Sequence, residues 1–165
     1  MPRHPAPEHA ILFVCLGNIC RSPTAEAVFR QRAARQGLAD RWLIDSAGTG
    51  DYQIGEPPDV RAVQHARKRG YDLGARRARQ VSADDFERFD WILAMDRSNL
   101  SALDALRPSA YQGHLGLLLD FAPELGVRDV PDPYEGGAHG FERVLDLIEP
   151  ACDGLIAHLS AFPRT

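Results

Sequence analysis

Cys15 and Arg21 stand six positions apart in the stretch CLGNICRSP, with Gly17, Asn18 and a second thiol, Cys20, between them and Ser22 directly after. A plain turn needs none of these. If the stretch coils tightly, the backbone N–H groups from Leu16 through Ile19 to Ser22 converge on one point and form an anion-binding nest. A helix opening at Pro23 would aim its positive end at the same point. Gly17 allows a backbone conformation that a side chain would penalise. Arg21 offers a planar fork to two oxygens of a tetrahedral oxyanion. Cys15 enters at the base, and a thiol beside a helix N-terminus and an arginine is favoured as the thiolate at neutral pH. A thiolate beneath a bound phosphate is placed for in-line attack on phosphorus. The competing reading is two structural cysteines in an ordinary strand–helix turn. A nucleotide site would carry GxxxxGK, which is absent.

The elements around this stretch must hold it in place. Four short apolar runs read as strands: AILFVC (10–15), RWLIDS (41–46), DWILAM (90–95) and HLGLLL (114–119). The first and third are nearly continuous rather than alternating, as strands are when helices cover both sheet faces. Helical patterns separate them at 23–36, 59–69, 82–89 and 98–106, and a last one spans 141–162. The first takes Ser22 as N-cap, Pro23 at its first position and Gly37 as its stop. Pro150 and Gly154 fall inside the last, which predicts a kink or break there. Strand and helix in alternation predict one domain: a doubly wound, four-stranded parallel sheet with helices on both faces. Ligands in such sheets sit beyond the carboxyl ends of the strands, where CLGNICRSP lies.

Composition agrees. The chain has 165 residues, 44% hydrophobic and 25% charged, the balance of one globular domain. A net charge of −4 argues against nucleic acid held by phosphate attraction. No apolar run approaches a membrane span, and residues 1–9 read as a short flexible tail ahead of a domain at 10–165. Three cysteines make no secreted disulfide framework, which points to a reducing cytoplasm. No cluster with metal-ligand spacing calls for a metal or other cofactor. Arg67, Lys68, Arg69, Arg76, Arg77 and Arg79 crowd together, as a solvated helix face or as a basic rim for an anion.

VCLGNICRSPTAE resembles the phosphate loop of the low-molecular-weight protein tyrosine phosphatases, and DSAGTGDYQIGEPPD, ARQVSADDFERFDWILAMDRSNL and DVPDPYEGG follow in that family's order. The resemblance implies a flavodoxin-like fold and hydrolysis of phosphotyrosine, with a phosphoprotein, such as a tyrosine kinase, as substrate. It makes Cys15 the nucleophile of a phosphocysteine intermediate and Arg21 the phosphate holder. Asp132 becomes the general acid, which must start protonated beside an anion or in a buried setting. It also implies that Asn18, Ser22 and Ser46 brace the loop, that Leu16, Tyr52 and Tyr134 line the cleft mouth, and that Cys20 can pair with Cys15 as a protective disulfide. Two departures stand out. Arg76 replaces a histidine frequent in the family, so the brace on Asn18 differs or comes from the guanidinium. Glu135 replaces an aromatic after Tyr134.

Two other functions use the same residues. Arsenate reductase chemistry needs further cysteines as a relay, yet none lies between Cys20 and Cys152, and Cys152 sits on an apolar helix face. A non-catalytic phosphotyrosine-binding module would be expected to lack Cys15, Arg21 or Asp132, and all three are present.

Overall fold

The computed structural model describes residues 6–133 and 137–161. Each apolar run becomes a strand: β1 (His9–Cys15), β2 (Trp42–Gly48), β3 (Trp91–Ala94) and β4 (His114–Leu117). All pair in parallel, in the order β2-β1-β3-β4. β1 lies inside the sheet and is buried along its whole length. Its residues alternate between two cores. Ile11, Phe13 and Cys15 pack with Phe29 of α1 (Arg21–Arg35) and Ile148 of α5 (Gly137–Ala161). Leu12 and Val14 pack with Phe86 of α3 (Asp85–Arg88) and Leu103 of α4 (Arg97–Leu106). The remaining helix, α2 (Val60–Lys68), lies against α5.

Several boundaries differ from the sequence reading. β1 begins at His9, and Glu8 already donates its N–H to Arg41 O, so the expected tail is shorter than nine residues. α1 starts at Arg21 with Cys20 at its N-cap, which displaces Ser22 into the first turn and releases its hydroxyl for the loop. Asp96 starts α4, closing a reciprocal capping box with Asn99. β4 stops at Leu117, and residues 118–121 tighten into a 3-10 turn. α5 is unbroken through Pro150 and Gly154. The glycine serves packing: a methyl there would run into the carbonyl oxygen of Phe121. Pro150 is half-buried and strips one donor from the turn of exposed Asp146. Among the described residues, no helix is long and apolar enough to cross a membrane.

The chain leaves β1 toward β2 on one side and reaches β3 on the other. The crevice between the carboxyl ends of β1 and β3 is therefore the switch point at which such sheets bind ligands.

Candidate active site

The segment joining β1 to α1 fills that crevice. Its carbonyls are engaged outside the loop: Cys15 O accepts Thr49 N–H, Leu16 O accepts Gly50 N–H, Ile19 O accepts Asp59 N–H and Cys20 O accepts Thr24 N–H. A trans peptide points its C=O and the following N–H in opposite directions. The N–H groups of Leu16, Gly17, Cys20 and Arg21 therefore point away from those partners, the arrangement an anion nest needs. The loop rests closely on the end of β2, where a Cβ at Gly48 would stand 2.7 Å from Leu16 O.

The left-handed residue is Asn18, with φ at 56°, and not Gly17. Asparagine tolerates this region through local hydrogen bonding. Here Asn18 is buried, and its Nδ2 donates to Ser22 Oγ at 2.9 Å and to Ser46 Oγ at 3.0 Å. Its Oδ1 accepts the backbone N–H of Arg79 at 3.1 Å. Of the two alternatives, the structure shows a different brace, and the Arg76 guanidinium is not among the partners of Asn18. Arg76 turns instead to the buried carboxylate of Glu26 and to Asp45, because an ion inside a core needs its counter-charge more than an amide does. Arg79, held by Asp45 and Asp85, supplies the brace through its main chain. The arginine-rich stretch is thus neither a plain solvated face nor a rim. Arg69, Arg76 and Arg79 make internal ion pairs, while Arg67, Lys68 and Arg77 are exposed.

Cys15 Sγ lies at the base, buried, accepting Asn18 N–H at 3.3 Å and standing 3.0 Å from Ser22 Oγ. Arg21, also buried, spends Nη1 on Asp96 Oδ2 at 2.7 Å and Val130 O at 2.9 Å. Burial opposes its charge, but the bond to Asp96 and the neighbouring Cys15 outweigh that and raise its pKa. Burial, with Cys15 close by, pushes the Cys20 thiol up. Cys20 is therefore held as the thiol. All three cysteines are free thiols, and Cys152 is fully buried in the α1–α5 core.

A cleft of ≈ 190 Å³ opens above the sulfur, lined by Cys15, Leu16, Gly17, Ile19, Cys20 and Arg21 and closed at its sides by Tyr52, Gln53, Asp132 and Pro133. Asp132 and Tyr52 are exposed on this rim. The cleft thus joins residues separated by more than a hundred positions. The sequence model of the low molecular weight phosphotyrosine protein phosphatases matches residues 10–162. The chain belongs to this family. A low molecular weight protein-tyrosine-phosphatase of Bacillus subtilis is 43% identical over 150 residues, covering 91% of this chain and 95% of its own. A human low molecular weight phosphotyrosine protein phosphatase is 40% identical over 145 residues, covering 87% and 90%. The crystal structure of a protein tyrosine phosphatase from Entamoeba histolytica, with Hepes in its active site, superposes with a TM-score of 0.88 at 41% identity, covering 93% of this chain and 97% of its own.

Within this phosphatase fold, Cys15, Leu16, Gly17, Ile19, Cys20, Arg21, Tyr52 and Asp132 line the cleft, while Asn18, Ser22 and Ser46 form the hydrogen-bonded layer behind it. Tyr134 and Glu135 lie outside the described residues. Sequence reading missed Asp96, Gln53 and Pro133. Asp96 carried a signal: it follows β3 directly, at the switch point, in the D-x-x-N pattern of a capping box. Nothing local marked Gln53, which reaches the loop only because 51–55 folds back beside Gly17.

Proposed function

We propose that this chain hydrolyses aryl phosphate monoesters, phosphotyrosine in proteins foremost, through a phosphocysteine intermediate. One observation carries the reading: a buried cysteine sulfur, held by Asn18 N–H and Ser22, shares a cleft with a buried arginine and an exposed aspartate. The loop amides and Nε and Nη2 of Arg21 take the phosphate oxygens. Charge developing on them in the transition state meets fixed dipoles that need no reorganisation. Cys15 attacks as the thiolate, the S–P bond forms, and the P–O bond to the phenol breaks as Asp132 protonates the leaving oxygen. Its carboxylate then takes a proton from water, the water attacks phosphorus, and the S–P bond breaks. Ser22 Oγ–H and Asn18 N–H stabilise the departing thiolate.

Support comes from the Entamoeba relative, because Hepes carries a sulfonate, itself a tetrahedral oxyanion. An arsenate-reducing relay is disfavoured by the burial of Cys152 away from the cleft lining. Three free thiols suit a cytoplasmic protein, and a tyrosine kinase is a fitting phosphoprotein substrate. Steady-state turnover of p-nitrophenyl phosphate and a phosphotyrosine peptide tests the assignment. Cys15→Ser should lose turnover by about 10⁴-fold or more while still binding phosphate. Asp132→Ala should lose about 10²–10⁴-fold, most with poor leaving groups. Full activity in either variant overturns the roles.

A further inference from the structure

Asp132 sits on a segment gripped from both ends. Two residues earlier, Val130 O accepts Arg21 Nη1 at 2.9 Å, and Val130 N–H donates to Met95 O at 2.8 Å. Directly after it, buried Pro133 rests on Gly140 in the first turn of α5. A Cβ on Gly140 would stand 2.5 Å from Pro133 O, 3.1 Å from its Cα and 3.2 Å from its carbonyl carbon. These are main-chain atoms, so no side-chain rotation relieves the contact.

Nor is α5 able to retreat, because α2 holds the next two residues. The His65 ring stacks on Phe141 with centroids 5.5 Å apart and planes 5° apart, and Arg61 Cζ lies 4.9 Å from the centre of the same ring. Glu142 takes His65 Nδ1 at 2.5 Å and Arg69 Nη2 at 2.8 Å. At the start of α2, the N–H of Asp59 donates to Ile19 O of the phosphate loop at 2.7 Å. One helix therefore touches the nucleophile's loop at its start and, along its length, the first turns of α5 on which the acid's segment rests.

We propose that Gly140 is a positioning residue for Asp132, and that α2, acting through Phe141 and Glu142, is the strut that sets where the acid stands relative to Cys15. The proposal rests on the acid role given to Asp132 above. Catalytic geometry is sensitive on this scale, since a shift of about 1 Å costs about a hundredfold. A methyl at position 140 pushes Pro133, and Asp132 with it, while leaving the phosphate loop untouched.

The test is the dependence of kcat/KM, which reports only the steps through departure of the phenol, on the leaving group, read with phenyl phosphate, whose phenol must be protonated as it leaves, and dinitrophenyl phosphate, whose phenol need not be. Gly140→Ala should lose about tenfold or more in kcat/KM on phenyl phosphate, with kcat/KM on dinitrophenyl phosphate and inhibition by inorganic phosphate unchanged. His65→Ala should show a smaller loss of the same selective kind. Equal losses on both substrates, or none on either, overturn the positioning role of Gly140. Without a selective loss in His65→Ala, the strut role of α2 falls. Should Gly140→Ala fail to fold, His65→Ala decides by the same readout. Asp132→Asn is the control. If that variant leaves the leaving-group dependence unchanged, the acid assignment itself fails; if it responds and Gly140→Ala does not, this inference alone fails.

Discussion

The two ends of the sheet bury polar groups in opposite ways. At the carboxyl end, Asn18, Arg21, Ser22 and Ser46 are all buried, and each has partners within the cluster around the loop. At the amino end, the first residues of the strands form an aromatic plug. His9 meets Trp42 and Trp91 edge-on, while Trp91 also meets His114 and His158. Trp91 Nε1–H donates to His9 Nδ1 at 3.3 Å, but His9 Nε2 and Trp42 Nε1 find no partner among the described residues. Apolar area holds the amino end together and tolerates unsatisfied donors. The carboxyl end keeps a non-glycine residue in left-handed backbone because three side-chain hydrogen bonds fix it there. One end is built for cohesion and the other for preorganisation, so substitutions at the two should separate stability from turnover.

The largest separation is expected from Asn18→Ala. It removes the donors to Ser22 and Ser46 and strands the Arg79 N–H, at a cost of about 1–3 kcal/mol. If that cost falls on the loop as it grips the transition state, kcat on p-nitrophenyl phosphate drops by about 10- to 100-fold. A normal kcat would show that the brace has no catalytic part. Gly154→Ala should do the reverse. Overpacking against Phe121 costs about 1–3 kcal/mol, which for this size is a Tm lowered by roughly 2–12 °C. Its kcat/KM below the melt should match the parent; a large kinetic loss would mean that the two ends are coupled.

The smallest effect concerns acid. Burial, then the charge of His158, lowers the pKa of His114, with Asp120 opposing. A histidine depressed in the folded state binds its proton more readily when unfolded. Its stabilising contribution is present above the unfolded value of about 6.5 and is lost as pH falls through the lower folded value. Denaturant melts should therefore weaken below that pH, and His114→Gln should flatten the decline. An unchanged slope would show that His114 does not set the acid sensitivity.

Much of the site was legible because its core is local. Cys15, Arg21 and Ser22 lie on one short loop, so the strand before it, the helix after it and the family resemblance together made it readable. Boundaries failed where a tertiary contact overrode a local cue. Ser22 looks like an N-cap, but its hydroxyl serves Cys15 and Asn18 once the loop coils, and Cys20 takes the cap position. Gly154 looks like a helix breaker until Phe121 is seen pressed against it. Whether Arg76 supplied the brace stayed open in the sequence, because composition cannot rank an amide against a buried carboxylate as its partner.

By itself, the sequence determined what depends on neighbours in the chain: four buried strands, the helices between them, and a cysteine–arginine loop opening toward a helix. Hydrophobic period and backbone preference act over a few residues, so they can be read directly. Tertiary structure decided the strand order, the seat of Arg21 between Asp96 and Val130, the Arg79 amide on Asn18, and the arrival of Asp132 in the cleft. Those pairings span from about 60 to over 100 positions. Which of many chemically equal aspartates or amides fills each place is settled only when packing excludes water and leaves one partner within reach.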